Sequence, residues 1–487
     1  MPNQKILMLG WEFPPLLNGG LGIASLELCK ALSRLVDISL ILPRADQAYR
    51  IEQVTTYGMD EVEINEILEE KGHEAYTEFV KKTRYIDINL DPYSDIKTSV
   101  PQTYEEAVHG FRPVTTYRNI QYKKQISATP TTVEKLIPLP VSQEFFPDIP
   151  NVFKVGPVYG DNLIHKVKAY AEYVKVMADE FDFDIIHAHD WMTFPAAMAL
   201  KALTGKPLVA HVHSLQYDRS GLTQEDYITH IEREMMKTAD RIIPVSRYTA
   251  GKLIQEYDCD VRKITHVHNG ISWHQVERKA KPFPNPLVMF AGRLTQQKNP
   301  EMFVEVAEKV LEHCPDCRFV VVGDGDQYAR VIERAASPTL IGKCHFTGYM
   351  PHEQVQEIFA MADVYCLTSN SEPFGLTALE AAMLGIPVIL TNRAGAGEVL
   401  RSAPKVGIQQ SRRMAQEIIA LLKDDYHRAA QKEAAYMDLK NATWGTSAYK
   451  IKKIYQQMVA AQTSEDPFIA AGESPTNTHL EEEALVP

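Results

Sequence analysis

The chain has 487 residues, 45% hydrophobic and 23% charged, the make-up of a soluble globular protein with sequence enough for two large domains. Lys and Arg number 51 against 63 Asp and Glu, a formal net charge of −12. That balance argues against a general nucleic-acid surface and an anionic-membrane surface, both of which need a basic face, and leaves room for a local basic pocket.

No run approaches 18 apolar residues, so no integral membrane segment is expected. The opening MPNQKILMLGW lacks the long apolar stretch and cleavage site of a secretory signal. Six cysteines are too sparse for a disulfide scaffold, which points to a reducing, cytoplasmic location. Cys314-Pro-Asp-Cys317 has metal or redox spacing, but no second CxxC completes a site, and the pair reads as two inert thiols.

In chain order, Lys5 to Gly10 reads as a strand and WEFPPLLNGGLG as a loop. A helix follows with Ala24, Leu28, Ala31 and Leu32 on one face, then a strand over 38–42. From about 47 to 162 the pattern is poor and reads as an insertion with scattered elements. Four β-branched runs come next: FDIIHAHDW (183–191), PLVAHVHS (207–214), RIIPVS (241–246) and ITHVHNG (264–270). They alternate with amphipathic stretches, the signature of βα units on a parallel sheet. KAKPFPNP (279–286) reads as a linker. The scheme then repeats with strands at 287–292, 318–323, 364–369 and 387–391.

The expected architecture is α/β, two Rossmann-like open parallel-sheet domains facing a cleft. Residues 1–278 and 287–445 form the domains, and a C-terminal helix over 446–462 crosses back to the first. The tail 463–487 carries six acids and no base, so −6 of the −12 belongs to it, and it reads as disordered. A ligand is expected in the crevice at the carboxyl ends of the strands.

SNSEPFGLTALEAAMLGIPVILT (369–391) is the most informative stretch. A strand ends at Ser369, Glu372 sits in the loop, and Gly375 permits a tight turn into a helix. The amides of Gly375, Leu376 and Thr377 then form an anion-receptive helix start, with Glu380 one turn inside. Solvated surface or a helix-capping charge is the alternative for each glutamate, and two glutamates flanking a helix start in an otherwise apolar stretch weigh against it. In FAGRLTQQKNP (290–300), Arg293 and Lys298 follow a strand's end; Arg can fork onto phosphate oxygens and Lys can act as a point charge. Gly20-x-Gly22 does not complete a dinucleotide fingerprint, since Ser25 follows, yet it suits a loop whose amides approach a phosphate.

His187 and His189, like His211 and His213, alternate onto one strand face, which makes a zinc site conceivable. No matching carboxylate or Cys spacing accompanies them, and a single histidine near a strand end, His213, is the better candidate. Asp324-x-Asp326 reads as a turn after a strand, and Asp182-x-Asp184 precedes one.

Taken together, EPFGLTALE, GRLTQQK, VVGDGD, VHNGI, HAHDW and GGLG resemble a family-4 retaining glycosyltransferase of the GT-B architecture, over residues 5–42 and 183–460. The resemblance implies a nucleotide-sugar donor, with Arg293 and Lys298 neutralising its diphosphate and Gly20, Gly323, Gly375, Leu376 and Thr377 holding it. Glu380 would bind the ribose, Glu372 the donor sugar, and His213 would line the reacting centre, with Asp190 and Trp191 on the acceptor side. No metal and no further cofactor are implied. WEFPP, GGLG, HAHDW and HVHS resemble glycogen and starch synthases more than lipid- or polysaccharide-chain mannosyltransferases, implying glucosyl transfer to an α-glucan. Glu380 stands where bacterial starch synthases have an aromatic and Asn18 where they have Lys, so UDP-glucose stays open beside ADP-glucose. Another sugar, a sugar-nucleotide epimerase of the same architecture and a non-catalytic glucan-binding protein are the alternatives.

Overall fold

The structure is a computed structural model that describes residues 3–15, 20–72, 74–75, 78–79, 151–154, 157–160, 162–221, 226–273 and 281–463. Asn18, Gly19, most of the expected insertion, the first part of the expected linker and the acidic tail lie outside these residues.

Two six-stranded sheets organise the chain, and all their pairings are parallel. The first has β1 (Lys5–Leu9), β2 (Asp37–Leu42), β3 (Val54–Gly58), β4 (Ile185–His189), β5 (Leu208–Val212) and β6 (Arg241–Pro244) in the order β3-β2-β1-β4-β5-β6. The second has β7 (Leu287–Ala291), β8 (Arg318–Val322), β9 (Cys344–Gly348), β10 (Val364–Leu367), β11 (Val388–Thr391) and β12 (Lys405–Val406) in the order β12-β11-β10-β7-β8-β9. The central strands are apolar runs because helices cover both faces; β4, β5 and β7 are buried at every residue. In each sheet the order reverses once, between β1 and β4 and between β7 and β10, and such switch points open a crevice at the strands' carboxyl ends.

The C-terminal helix Trp444–Thr463 crosses back to the first sheet. Trp444, Ala448, Ile451, Tyr455 and Met458 fall three or four residues apart and pack with Met8, Ile185, Val209 and the helix Gly20–Leu32. Full burial of each large side chain contributes about 1.5–3 kcal/mol.

Several expected elements change. The first helix begins at Gly20, inside the expected loop. The expected insertion yields β3, which pairs with β2 at the sheet edge. ITHVHNG is not a full strand: it runs extended beside β6, with Thr265 and Val267 amides donating to Ile242 and Pro244, and forms one isolated bridge at Ile264. Cys317 is buried and its thiol pushed up to about 12 by burial, whereas Cys314 is only half-buried.

Candidate active site

β7 and β10 are neighbours at the second switch point, so the loops that leave their carboxyl ends face each other. The β7 loop carries Arg293 and Lys298 into the helix Pro300–Leu311. The β10 loop carries Glu372 into the helix Leu376–Met383, on which Thr377 and Glu380 sit. Lys298 Nζ lies 2.5 Å from Glu372 Oε2, and Ser369 Oγ donates to the same oxygen at 2.9 Å. Glu372 is buried, while Arg293, Lys298 and Glu380 are half-buried. Thr368 Oγ1 donates to the Lys298 carbonyl at 3.1 Å, and Asn370 N–H to the Gln297 carbonyl at 2.8 Å, so the two loops brace one another. Tyr365 OH donates to Thr377 Oγ1 at 2.8 Å and fixes the helix start.

Two glycines are required here. Gly375 has φ of 100° and opens the helix; a Cβ there would lie 3.1 Å from both Glu372 Cγ and Leu367 Cδ2. Gly323, at the end of β8, has φ of 134°, and a Cβ would lie 2.0 Å from the Gly292 carbonyl oxygen. The backbone after β8 therefore closes tightly on the backbone after β7, beside Arg293. Asp324 and Asp326 are exposed in the following turn, where Asp324 Oδ1 accepts from the Gly325 N–H at 2.8 Å.

In the first sheet, β4 and β5 bring all four histidines onto one face as a stack. His187 Nε2 and His211 Nδ1 are 3.0 Å apart, His189 Nδ1 and His213 Nε2 are 2.9 Å apart, and His187 Nδ1 bonds the Tyr455 hydroxyl of the returning helix. Burial first, and neighbouring histidines second, push His187, His211 and His213 well below the usual range; burial brings His189 down to about 3. These shifts keep the rings neutral, and each ring-to-ring contact pairs one N–H with one bare nitrogen. Among the described residues His213 Nδ1 keeps no hydrogen-bond partner, and the ring stands just past the end of β5.

Nitrogens of His187, His189 and His211 lie within 4.8 Å of one another, but His187 and His189 stack at 4.6 Å with planes 7° apart. Ring lone pairs lie in the ring plane, so stacked parallel rings do not aim at one centre, as metal ligation at about 2 Å requires.

Asp190 sits at the first switch point in the left-handed region, φ 58°, a conformation Asp tolerates. Its carboxylate accepts from the amides of His213 (2.7 Å) and Ser214 (3.3 Å), tying the end of β4 to the loop after β5. Burial pushes Asp190 up to about 7, against those amides and Arg219. Trp191, expected on the acceptor side, is 1% exposed and packs in the core, and Asp190 is 3% exposed and braces the loop after β5. Gly20 begins its helix, with open space around its Cα.

Sequence reasoning passed over the residues that join the two halves. Ser246 Oγ, which caps the helix Arg247–Tyr257, also donates to the Pro373 carbonyl at 2.6 Å. The amides of Arg247 and Tyr248 donate to the Glu398 carboxylate, each at 2.8 Å, and His268 Nε2 is 2.6 Å from it. Ser246, a capping residue just after a strand-like run, and His268, inside VHNGI, carried a local signal.

Two family models match the chain: "Glycosyltransferase Family 4" over residues 138–273 and "Glycosyl transferases group 1" over residues 272–438. A glycogen synthase of Mycobacterium tuberculosis is 27% identical over 225 residues, 45% of this chain and 54% of that protein, so the match spans about half its length. A D-inositol 3-phosphate glycosyltransferase of Corynebacterium diphtheriae is 26% identical over 301 residues, 56% of this chain and 70% of that protein. Among solved structures, Anabaena HepE in complex with UDP and glucose superposes with a TM-score of 0.60 at 15% identity, covering 93% of this chain and 99% of that one. Among the described residues no helix is long and apolar enough to cross a membrane.

Proposed function

The chain belongs to the family-4 glycosyltransferases of the GT-B architecture, and from that premise we propose that it transfers a glucosyl unit from UDP- or ADP-glucose to an α-glucan, with retention of configuration. The observation that carries this reading is the meeting of Lys298 and Glu372, 2.5 Å apart, on two loops that leave adjacent strands at a switch point. The Glu372 carboxylate holds the Lys298 ammonium in place beside the strand ends. On donor binding, Lys298 and Arg293 face the diphosphate, the amides at Leu376 and Thr377 add donors, and Glu372 turns to the sugar hydroxyls. Glu380, one turn along the helix, takes the ribose.

Charge develops on the departing diphosphate as the bond from sugar C1 to its phosphate oxygen breaks. A fixed Arg/Lys pair stabilises that charge without reorganising, which lowers the barrier. The acceptor hydroxyl attacks C1 from the same face, its oxygen forms the new glycosidic bond, and its proton passes to the departing phosphate oxygen. His213 Nδ1, buried and without a hydrogen-bond partner just past the end of β5, suits a sugar hydroxyl. These steps call for no metal and no further cofactor. The glycogen synthase relatives favour an α-glucan acceptor, whereas the longer match to D-inositol 3-phosphate glycosyltransferase favours a small polyol phosphate or another sugar.

The test incubates the protein with UDP-, ADP- and GDP-sugars, with and without glycogen or inositol phosphate, and measures nucleotide release and product. Glycogen-dependent release from UDP- or ADP-glucose supports the reading. Release that depends on inositol phosphate moves it to the second acceptor, and isomerisation of the donor with no acceptor makes the protein an epimerase.

A further inference from the structure

We infer that Lys252 and Asp218 are positioning residues, a buried cross-domain clamp that fixes the loop carrying Glu372 against the loop carrying His213. This rests on the reading of Glu372 and His213 as site residues, but the geometry behind it stands apart from any substrate.

Lys252 lies on the helix Arg247–Tyr257 and Asp218 on the short helix Gln216–Ser220, both in the first half of the chain; Ser371 lies in the β10 loop of the second. Lys252 Nζ donates to Asp218 Oδ1 at 2.6 Å and to Ser371 Oγ at 2.6 Å, and Ser371 Oγ donates to Asp218 Oδ1 at 2.5 Å. The three atoms form a closed triangle in which the cation, the hydroxyl and the carboxylate each have a partner. Side-chain exposure is 9% for Lys252 and 0% for Asp218, so water does not compete. The ammonium lies 4.4 Å from the Tyr217 ring centre and 4.6 Å from that of Tyr248, whose hydroxyl reaches Ser371 Oγ at 3.0 Å. Charge on the Lys is favoured on balance: burial, the largest single effect, opposes it, and Asp218 and Tyr248 together outweigh it.

Each partner of the triangle continues into a catalytic segment. Asp218 Oδ2 accepts from the Leu215 amide at 2.9 Å, which shapes the turn that starts at His213. Ser371 precedes Glu372, and its carbonyl accepts from Gln297 Nε2 at 3.1 Å, next to Lys298. A buried ion pair is weak evidence for stability, because desolvation consumes most of its attraction. Its geometric effect is definite: one cation from the first half sets the spacing between two loops that must flank the same sugar. Misplacement of a reacting group by about 1 Å costs on the order of 100-fold in rate, so the spacing matters.

The test is hydrogen exchange on the full chain, free of substrate, for wild type and Lys252→Met, which keeps side-chain length between the tyrosines and removes the charge. The amides of Asn370 and Glu372, bonded to Gln297 and Arg393 carbonyls, and that of Asp218, bonded to the Leu215 carbonyl, report on the two loops. We expect exchange in 369–375 and 214–220 to rise about 10-fold or more, with the amides of β4, β5, β7 and β10 unchanged. Unchanged exchange at 369–375 in folded Lys252→Met overturns the clamp. Should that variant not fold, Ser371→Ala removes only the hydroxyl link; it must loosen 369–375, and failure to do so also overturns the inference. In turnover, Lys252→Met lowers kcat about 10-fold or more with donor KM within about 3-fold, and Lys252→Arg recovers much of the loss. A wild type inert towards every nucleotide-sugar counts against the proposed function alone, since exchange needs no substrate.

Discussion

Lys298 and Glu372 touch, and their common neighbourhood was legible in local motifs, since each lies a few residues beyond a strand end. Gly375 and Gly323 were legible for a related reason, as turn glycines after apolar runs. What no spacing could show is how closely Gly323 approaches Gly292, because those residues are 31 positions apart and meet only when β7 pairs with β8. Gly323→Ala places a methyl 2.0 Å from a carbonyl oxygen at a φ of 134°. We expect it to destabilise the protein by about 1–3 kcal/mol, read as a lower urea midpoint. An unchanged midpoint would mean that the backbone there yields freely. Lys252 and Asp218 were not legible at all: one lies in an ordinary amphipathic helix, the other in a short polar helix, and only the docked halves bring them together with Ser371.

At the scale of elements, the buried strands were legible because parallel strands covered on both faces are continuous apolar runs. β9 was missed because it is an edge strand that alternates half-buried with exposed residues, His345 and Thr347 among the latter; β12 is only two residues long. The histidines of β4 and β5 were expected on one face, and their effect on stability follows from burial. A histidine held neutral in the fold but free to protonate when unfolded costs stability as pH falls below 6.5, down to about 3 for His189. Two buried carboxyls work the other way: Asp190, pushed up to about 7, and Glu232, up to about 8, take up protons in the fold before the unfolded chain does. The four histidines outnumber the two acids, so stability falls on acidification from pH 6 to pH 5. His187→Gln removes one such proton, and its stability should fall less steeply than that of wild type, by about 1.4 kcal/mol per pH unit. Urea unfolding at pH 7, 6 and 5 checks this, and equal slopes would place the charge elsewhere.

Seen whole, the molecule is two open sheets whose switch points face a common crevice, with a helix from the end of the chain sealing the first sheet. Its net charge of −12 is no obstacle to a phosphorylated donor, since the cations that matter are placed one by one at strand ends. The helix Arg247–Tyr257 gathers Pro373, Ser371 and Glu398 from the other half, so the crevice is organised by contacts as well as by topology. The most direct test of the account is glycogen-dependent release of UDP from UDP-glucose, or of ADP from ADP-glucose, by wild type, Lys298→Ala and Glu372→Ala in one assay, with folding checked by circular dichroism. The account predicts turnover by wild type and a loss of about 100-fold or more in each folded variant; near-normal rates in either variant would contradict it.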